Sequence, residues 1–126
     1  MLKFLAPTHR RVGLLLACSA LALSACSGGG GGGGGAISVT ATDYKFEPAN
    51  VTVKAGQAVQ LTLKNSATQI HDWVPQNVPG VTAKAEAQAN QSVNITFTAT
   101  TAGTYKVICA QTGHEQLGMV GQLIVQ

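Results

Sequence analysis

Tyr105-Lys106-Val107-Ile108-Cys109-Ala110-Gln111-Thr112-Gly113-His114-Glu115-Gln116-Leu117-Gly118-Met119, running on into Val120-Gly121-Gln122-Leu123-Ile124-Val125, is two strand-like runs with a loop between them. In the first run Tyr105, Val107 and Cys109 alternate with Lys106, so they share a face and Cys109 should enter from the core side of a strand. The loop then offers an imidazole and a thioether at the spacing Cys-x4-His-x4-Met, with Gly113 and Gly118 placed to bend both side chains back toward the sulfur. A second imidazole comes from far upstream, in Gln69-Ile70-His71-Asp72-Trp73-Val74. His71, Cys109 and His114 with Met119 are the donor set of a trigonal His₂Cys copper site with a weak axial thioether.

The count of such side chains supports reading them jointly. Beyond residue 25 the chain holds two His (His71, His114), one Met (Met119) and two Cys (Cys26, Cys109), and Cys26 has a separate explanation below. A lone Cys or Met usually fills core space. Here every such residue but Cys26 belongs to one candidate site.

Outward from this stretch the chain is written in period two. Ile37 and Val39 alternate with Ser38 and Thr40, Val51 and Val53 with Thr52 and Lys54, Val59, Leu61 and Leu63 with Gln60, Thr62 and Lys64, and Val93, Ile95 and Phe97 with Asn94, Thr96 and Thr98. Turn signals separate these runs at Pro48-Ala49-Asn50, Lys54-Ala55-Gly56, Pro79-Gly80 and Thr101-Ala102-Gly103. Short half-buried strands at such intervals predict an all-β fold, an antiparallel β-sandwich with Greek-key connections. Val81 to Ala89, rich in alanine, suits a short helix or loop as well as a strand.

The Cys109-to-Met119 loop, its Gly113-His114 and Gly118-Met119 pairs and the upstream His71-Asp72-Trp73-Val74 resemble the type 1 (blue) copper proteins, the cupredoxins. The loop is most similar to auracyanins and rusticyanins, and the His-Asx-Trp-Val run to azurins; the resemblance covers about Ile37 to Gln126. It implies one copper per chain, cycling between Cu(I) and Cu(II), bound by His71, Cys109, His114 and Met119. In the family the residue after the upstream His is usually Asn, whose side chain bonds across to the Cys loop. Asp72 departs from that pattern and brings a titratable group beside the ligands. Trp73 is expected to pack in the core beneath the site. His114, mid-loop between glycines, is expected nearest the surface, with Leu117, Gly118, Val74, Pro75, Val78 and Pro79 as a small apolar docking patch around it.

Residues 1–25 read as a secretory signal, with Lys3, Arg10 and Arg11 ahead of an apolar run from Val12 to Leu23 that is short for a membrane span. Leu23-Ser24-Ala25-Cys26 resembles the lipobox of bacterial lipoproteins, which implies lipidation of Cys26 and an exported protein anchored on the periplasmic or extracellular face. Residues 26–35 then form a tether of Ser27 and Gly28 to Gly35, a flexible coil expected to span roughly 15 to 18 Å. The compact domain is expected over residues 36–126.

The formal charge of +3 comes from Lys3, Arg10 and Arg11; Lys45, Lys54, Lys64, Lys84 and Lys106 balance Asp43, Glu47, Asp72, Glu86 and Glu115. A neutral domain of this kind does not build a phosphate-binding surface, so nucleic acid is excluded as a partner. No Ser/His/Asp set is left over for hydrolysis, so the chain is not expected to be an enzyme. The expected function is a monomeric, membrane-tethered carrier of single electrons between redox proteins that dock near His114. The alternatives are a copper-homeostasis lipoprotein, against which a single Met argues, and a β-sandwich adhesion module, for which the Cys/His/Met set would have to be coincidental.

Overall fold

The computed structural model describes residues 35–126, so the readings placed on residues 1–34, the signal, Cys26 and the glycine tether, lie outside the described residues. The described chain is all strand and connection: β1 (Ala36–Thr42), β2 (Lys45–Glu47), β3 (Asn50–Val53), β4 (Ala58–Asn65), β5 (His71–Pro75), β6 (Ala85–Ala87), β7 (Ser92–Thr98), β8 (Gly103–Ile108) and β9 (Val120–Val125). They form two sheets, ordered β2-β1-β4-β7 and β3-β9-β8-β5-β6.

Alternation in the sequence becomes alternation in burial. In β4 Val59, Leu61, Leu63 and Asn65 point inward while Gln60 and Lys64 face water. Val39 and Ala41 from β1 join them; from the opposite sheet come Val107, Leu123 and Val125. Trp73 on β5 stacks on Phe97 of β7 with ring centroids 5.8 Å apart, so it packs the two sheets together, as expected for a core residue. Each such large apolar side chain contributes about 1.5–3 kcal/mol on burial, and together they hold the sheets face to face.

The expected sandwich is observed, but its antiparallel character is only partly so. β1 pairs parallel to β4, and β3 parallel to β9. Parallel neighbours need a long crossover, which the chain supplies by sending β2 and β3 between β1 and β4. Alternation marks which face a strand buries and carries no information about strand direction. β2 was not anticipated. The ambiguous stretch from Val81 to Ala89 contributes β6 and no helix.

The pairings bring the ends of five strands to one end of the sandwich. Asn65 at the end of β4 lies opposite Ala41 of β1, His71 opens β5, Ile108 closes β8, and Val120 opposite it opens β9. Residues 42–44 and 66–70 turn over this same end.

Candidate metal centre

Cys109 follows directly on β8 and, by the parity of Val107, turns its side chain into the core, where it is 1% exposed. Its N–H donates to the Met119 carbonyl at 3.2 Å, which closes the base of the loop where β9 is about to begin. Inside, His114 N–H donates to Gln111 O at 3.0 Å, Leu117 N–H to Gly113 O at 3.1 Å and Met119 N–H to His114 O at 3.0 Å. Such tight winding requires left-handed backbone at two points, and Gly113 (φ 87°) and Gly118 (φ 94°) supply it without a Cβ penalty. On the solvent side, Lys106 of β8 and Glu115 of the loop form an ion pair at 2.5 Å, too exposed to add much stability.

The three strongest candidate ligands converge. His114 Nδ1 lies 3.4 Å and His71 Nδ1 3.8 Å from Cys109 Sγ, and the donor atoms of all three residues fall within 4.8 Å of one another. The imidazole centroids are 4.9 Å apart. Met119 is wholly buried, and its backbone bonds to Cys109 on one side and His114 on the other. Exposure rises from His71 at 0% to His114 at 7%, so His114 is the outermost of the four, as its place between glycines suggested.

Burial lowers the pKa of His71; the neighbouring His114 lowers it further, and Asp43 and Asp72 only partly offset this. Burial likewise pushes the Cys109 thiol up, although backbone N–H groups of Asp72 and Gln111 pull it back down. Without metal the pocket therefore favours uncharged imidazole and thiol. His71 is fully enclosed, yet its Nε2 has no hydrogen-bond partner. Burying an imidazole this way costs free energy that hydrogen bonding within the protein does not return. Two imidazoles whose Nδ1 atoms face one sulfur are donors that suit copper. The residues fit the metal.

Asp72 resolves into two separate contacts. Its backbone N–H donates to Cys109 Sγ at 3.3 Å, while its carboxylate, 3% exposed, accepts from Gln111 Nε2 at 3.2 and 3.1 Å. A side-chain bridge to the Cys loop thus exists with Asp at this position, its donor being the loop glutamine. The contact to sulfur is main-chain and is insensitive to whether residue 72 is Asp or Asn.

The expected apolar patch is redrawn. Val78 is buried, and Pro79 accepts from Thr100 N–H beyond the β7 terminus that pairs with the start of β4, at the opposite end of the sandwich from His114. β5 runs antiparallel to β8, so residues after His71 recede from the site along the chain. The exposed large apolar residues at this end are Ile70, Leu117 and Val120, with Leu117 the most exposed at 59%. Tyr44 meets His114 edge-on at 5.2 Å.

Four residues went unnoticed in the sequence: Tyr44, Asn65, Gln69 and Gln111. Asn65 carried a signal, for it is the polar member of the inward series Val59, Leu61, Leu63. Gln69 and Gln111 each lie two residues from a candidate ligand, but side-chain direction in a loop has no period to reveal it.

A family model for the cupredoxin-like domain matches residues 13–125. Auracyanin-A of Chloroflexus aurantiacus is 33% identical over 108 residues, covering 64% of this chain and 66% of the relative. The copper-resistant cuproprotein CopI of Rubrivivax gelatinosus is 26% identical over 99 residues, covering 65% of this chain and 60% of the relative. The chain thus spans less than two thirds of the length of either. The solved structure of auracyanin A, a "blue" copper protein, superposes with a TM-score of 0.58 at 30% identity, covering 73% of this chain and all of that one. Reduced auracyanin from Roseiflexus castenholzii gives 0.66 at 24% identity, covering 75% of this chain and 99% of that one, and so supports the fold.

Proposed function

The chain belongs to the cupredoxin-like family and its cofactor is copper; from that premise we propose that it is a one-electron carrier whose metal would be held by His71, Cys109 and His114, with the Met119 thioether as a further, weak donor. The observation that carries the reading is the buried Cys109 sulfur with two imidazole Nδ1 atoms facing it, 3.4 and 3.8 Å away. Bound copper supplies the one-electron couple.

The chain's own residues do the rest. Cys109 would bind copper as the thiolate, giving up its thiol proton, and the Asp72 N–H, which already donates to the sulfur at 3.3 Å, would stabilise that negative charge. The sandwich end fixes His71 by burial. Rigid walls on both sides limit rearrangement when the charge of the site changes, which is what a fast carrier needs. His114 is the outermost ligand, so exchange with a partner runs through its edge, and Leu117 with Ile70 offers the apolar surface for brief docking. Lipid on Cys26 with the glycine tether would hold the domain near its membrane partners; the motivating feature is Leu23-Ser24-Ala25-Cys26 ahead of eight glycines. Among the described residues no helix is long and apolar enough to cross a membrane.

The test is the visible spectrum and voltammetry of the copper-loaded protein. One copper per chain, an intense band and a reversible one-electron wave are expected, and Cys109→Ser should lose the band while remaining folded. A Cys109→Ser protein that keeps the band would refute the ligand assignment. Similarity to the copper-resistance protein favours one second reading, a role in copper tolerance. Deleting the gene separates the two: loss of electron flow at ordinary copper supports the carrier, and sensitivity only to excess copper supports tolerance.

A further inference from the structure

The two imidazoles are not held alike. His71 Nε2 has no hydrogen-bond partner, whereas His114 Nε2 lies 3.2 Å from Gln69 Oε1. A neutral imidazole has a single ring proton, and whichever nitrogen carries it cannot present a lone pair. The outer partner of a ligating histidine therefore decides which nitrogen faces the metal. An amide oxygen only accepts, so Gln69 selects the Nε2–H form and leaves the His114 Nδ1 lone pair turned toward Cys109 Sγ.

Gln69 is itself placed by a buried device. Asn65, 1% exposed at the end of β4, donates through Nδ2 to the Gln69 carbonyl at 2.6 Å and to Ala87 O at 2.9 Å, while its Oδ1 accepts from Ala67 N–H at 2.9 Å. The segment from β4 to His71 is thus pinned by one internal amide, and the Gln69 side chain reaches from it to the ligand on the other segment. Tyr44, edge-on to the ring, limits its movement elsewhere.

We propose that Gln69 is a positioning residue for the copper site: it holds His114 as the Nε2–H tautomer with Nδ1 presented to the metal. The proposal rests on the assignment of His114 as a ligand, and its test separates the two. Nitrogen-15 NMR of the full chain without copper, at a pH where the imidazoles are neutral, reads the His114 tautomer directly. Wild type should show Nε2–H. Gln69→Leu removes the acceptor at an exposed site where folding is safe, and should give mixed tautomers; Gln69→Glu restores an acceptor and should return to Nε2–H. With copper, Gln69→Leu should bind about ten-fold more weakly, the low end of what loss of a ligand's outer hydrogen bond typically costs. Gln69→Glu should bind close to wild type. A wild-type protein with the proton on Nδ1, or a Gln69→Leu protein unchanged in both tautomer and affinity, overturns the proposal. Loss of copper binding in His114→Ala is required by the ligand assignment alone; its failure would strike that reading and leave the tautomer result standing.

Discussion

Replacing Gln111 with Ala tests whether the buried carboxylate is satisfied as the geometry indicates. Asp72 is 3% exposed and both its oxygens accept from the same Gln111 nitrogen, at 3.2 and 3.1 Å. A hydrogen bond to a charged group contributes about 1.5–3 kcal/mol net, and a buried acceptor stripped of its donor bears its desolvation cost. Gln111 is half-buried, so water can reach part of the gap, and freeing its side chain returns a fraction of about 1.5 kcal/mol in rotamer entropy. The expected loss is about 1.5 kcal/mol. In a domain of this size that lowers the melting temperature by roughly 6–12 °C. Urea titration of the copper-free protein at pH 7 measures it, and repeating the change in an Asp72→Asn background completes a double-mutant cycle. With a neutral acceptor the cost should shrink by about 1 kcal/mol, since neutral pairs contribute only about 0.5–1.5. A Gln111→Ala protein within about 0.3 kcal/mol of wild type, or a cycle without coupling, would show that the carboxylate finds its partners elsewhere.

Met119→Leu should fold with under about 1.5 kcal/mol lost and raise the reduction potential, whereas Met119→Gln should lower it by offering Cu(II) a harder donor; equal potentials in all three proteins would remove Met119 from the ligand set. Leu117→Lys should slow bimolecular electron exchange at every ionic strength while leaving the visible spectrum unchanged, and unaltered rates would mean that partners dock elsewhere. Because the folded pKa of His71 is lowered below its ordinary 6.5, the unfolded chain binds the proton first; stability from this group is full above about 6.5 and is lost as pH falls below it. Copper-free protein should accordingly be less stable at pH 5 than at pH 7.5, and His71→Gln should reduce that slope in pH-dependent denaturation. Intact-mass measurement of membrane-extracted protein should find Cys26 at the N-terminus with acyl mass, and a different N-terminus would end the anchor reading.

Much of the candidate site was legible in the chain, because the donors are rare here and their spacing is chemical. With two His, one Met and two Cys beyond residue 25, Cys109, His114 and Met119 stand out on one loop, and parity along β8 correctly turned Cys109 inward. Alternation likewise marked the longer strands and which face each buries, since burying one face of a pleated strand leaves its mark every second residue, whereas the three-residue β2 and β6 are too short to show it. Direction and partner were decided only by tertiary structure: nothing in the side chains of β1 says that it will lie parallel to β4, because that depends on where a long connection returns the chain. The same holds for the surroundings of the ligands. Val78 and Pro79 are close to His71 in sequence but are carried to the far end by β5, while Tyr44, distant in sequence, stands against His114. Whether Gln69 and Gln111 face water or reach an imidazole and a carboxylate is settled by loop conformation and by the buried amide of Asn65. Those contacts are formed between segments brought together only when the two sheets close.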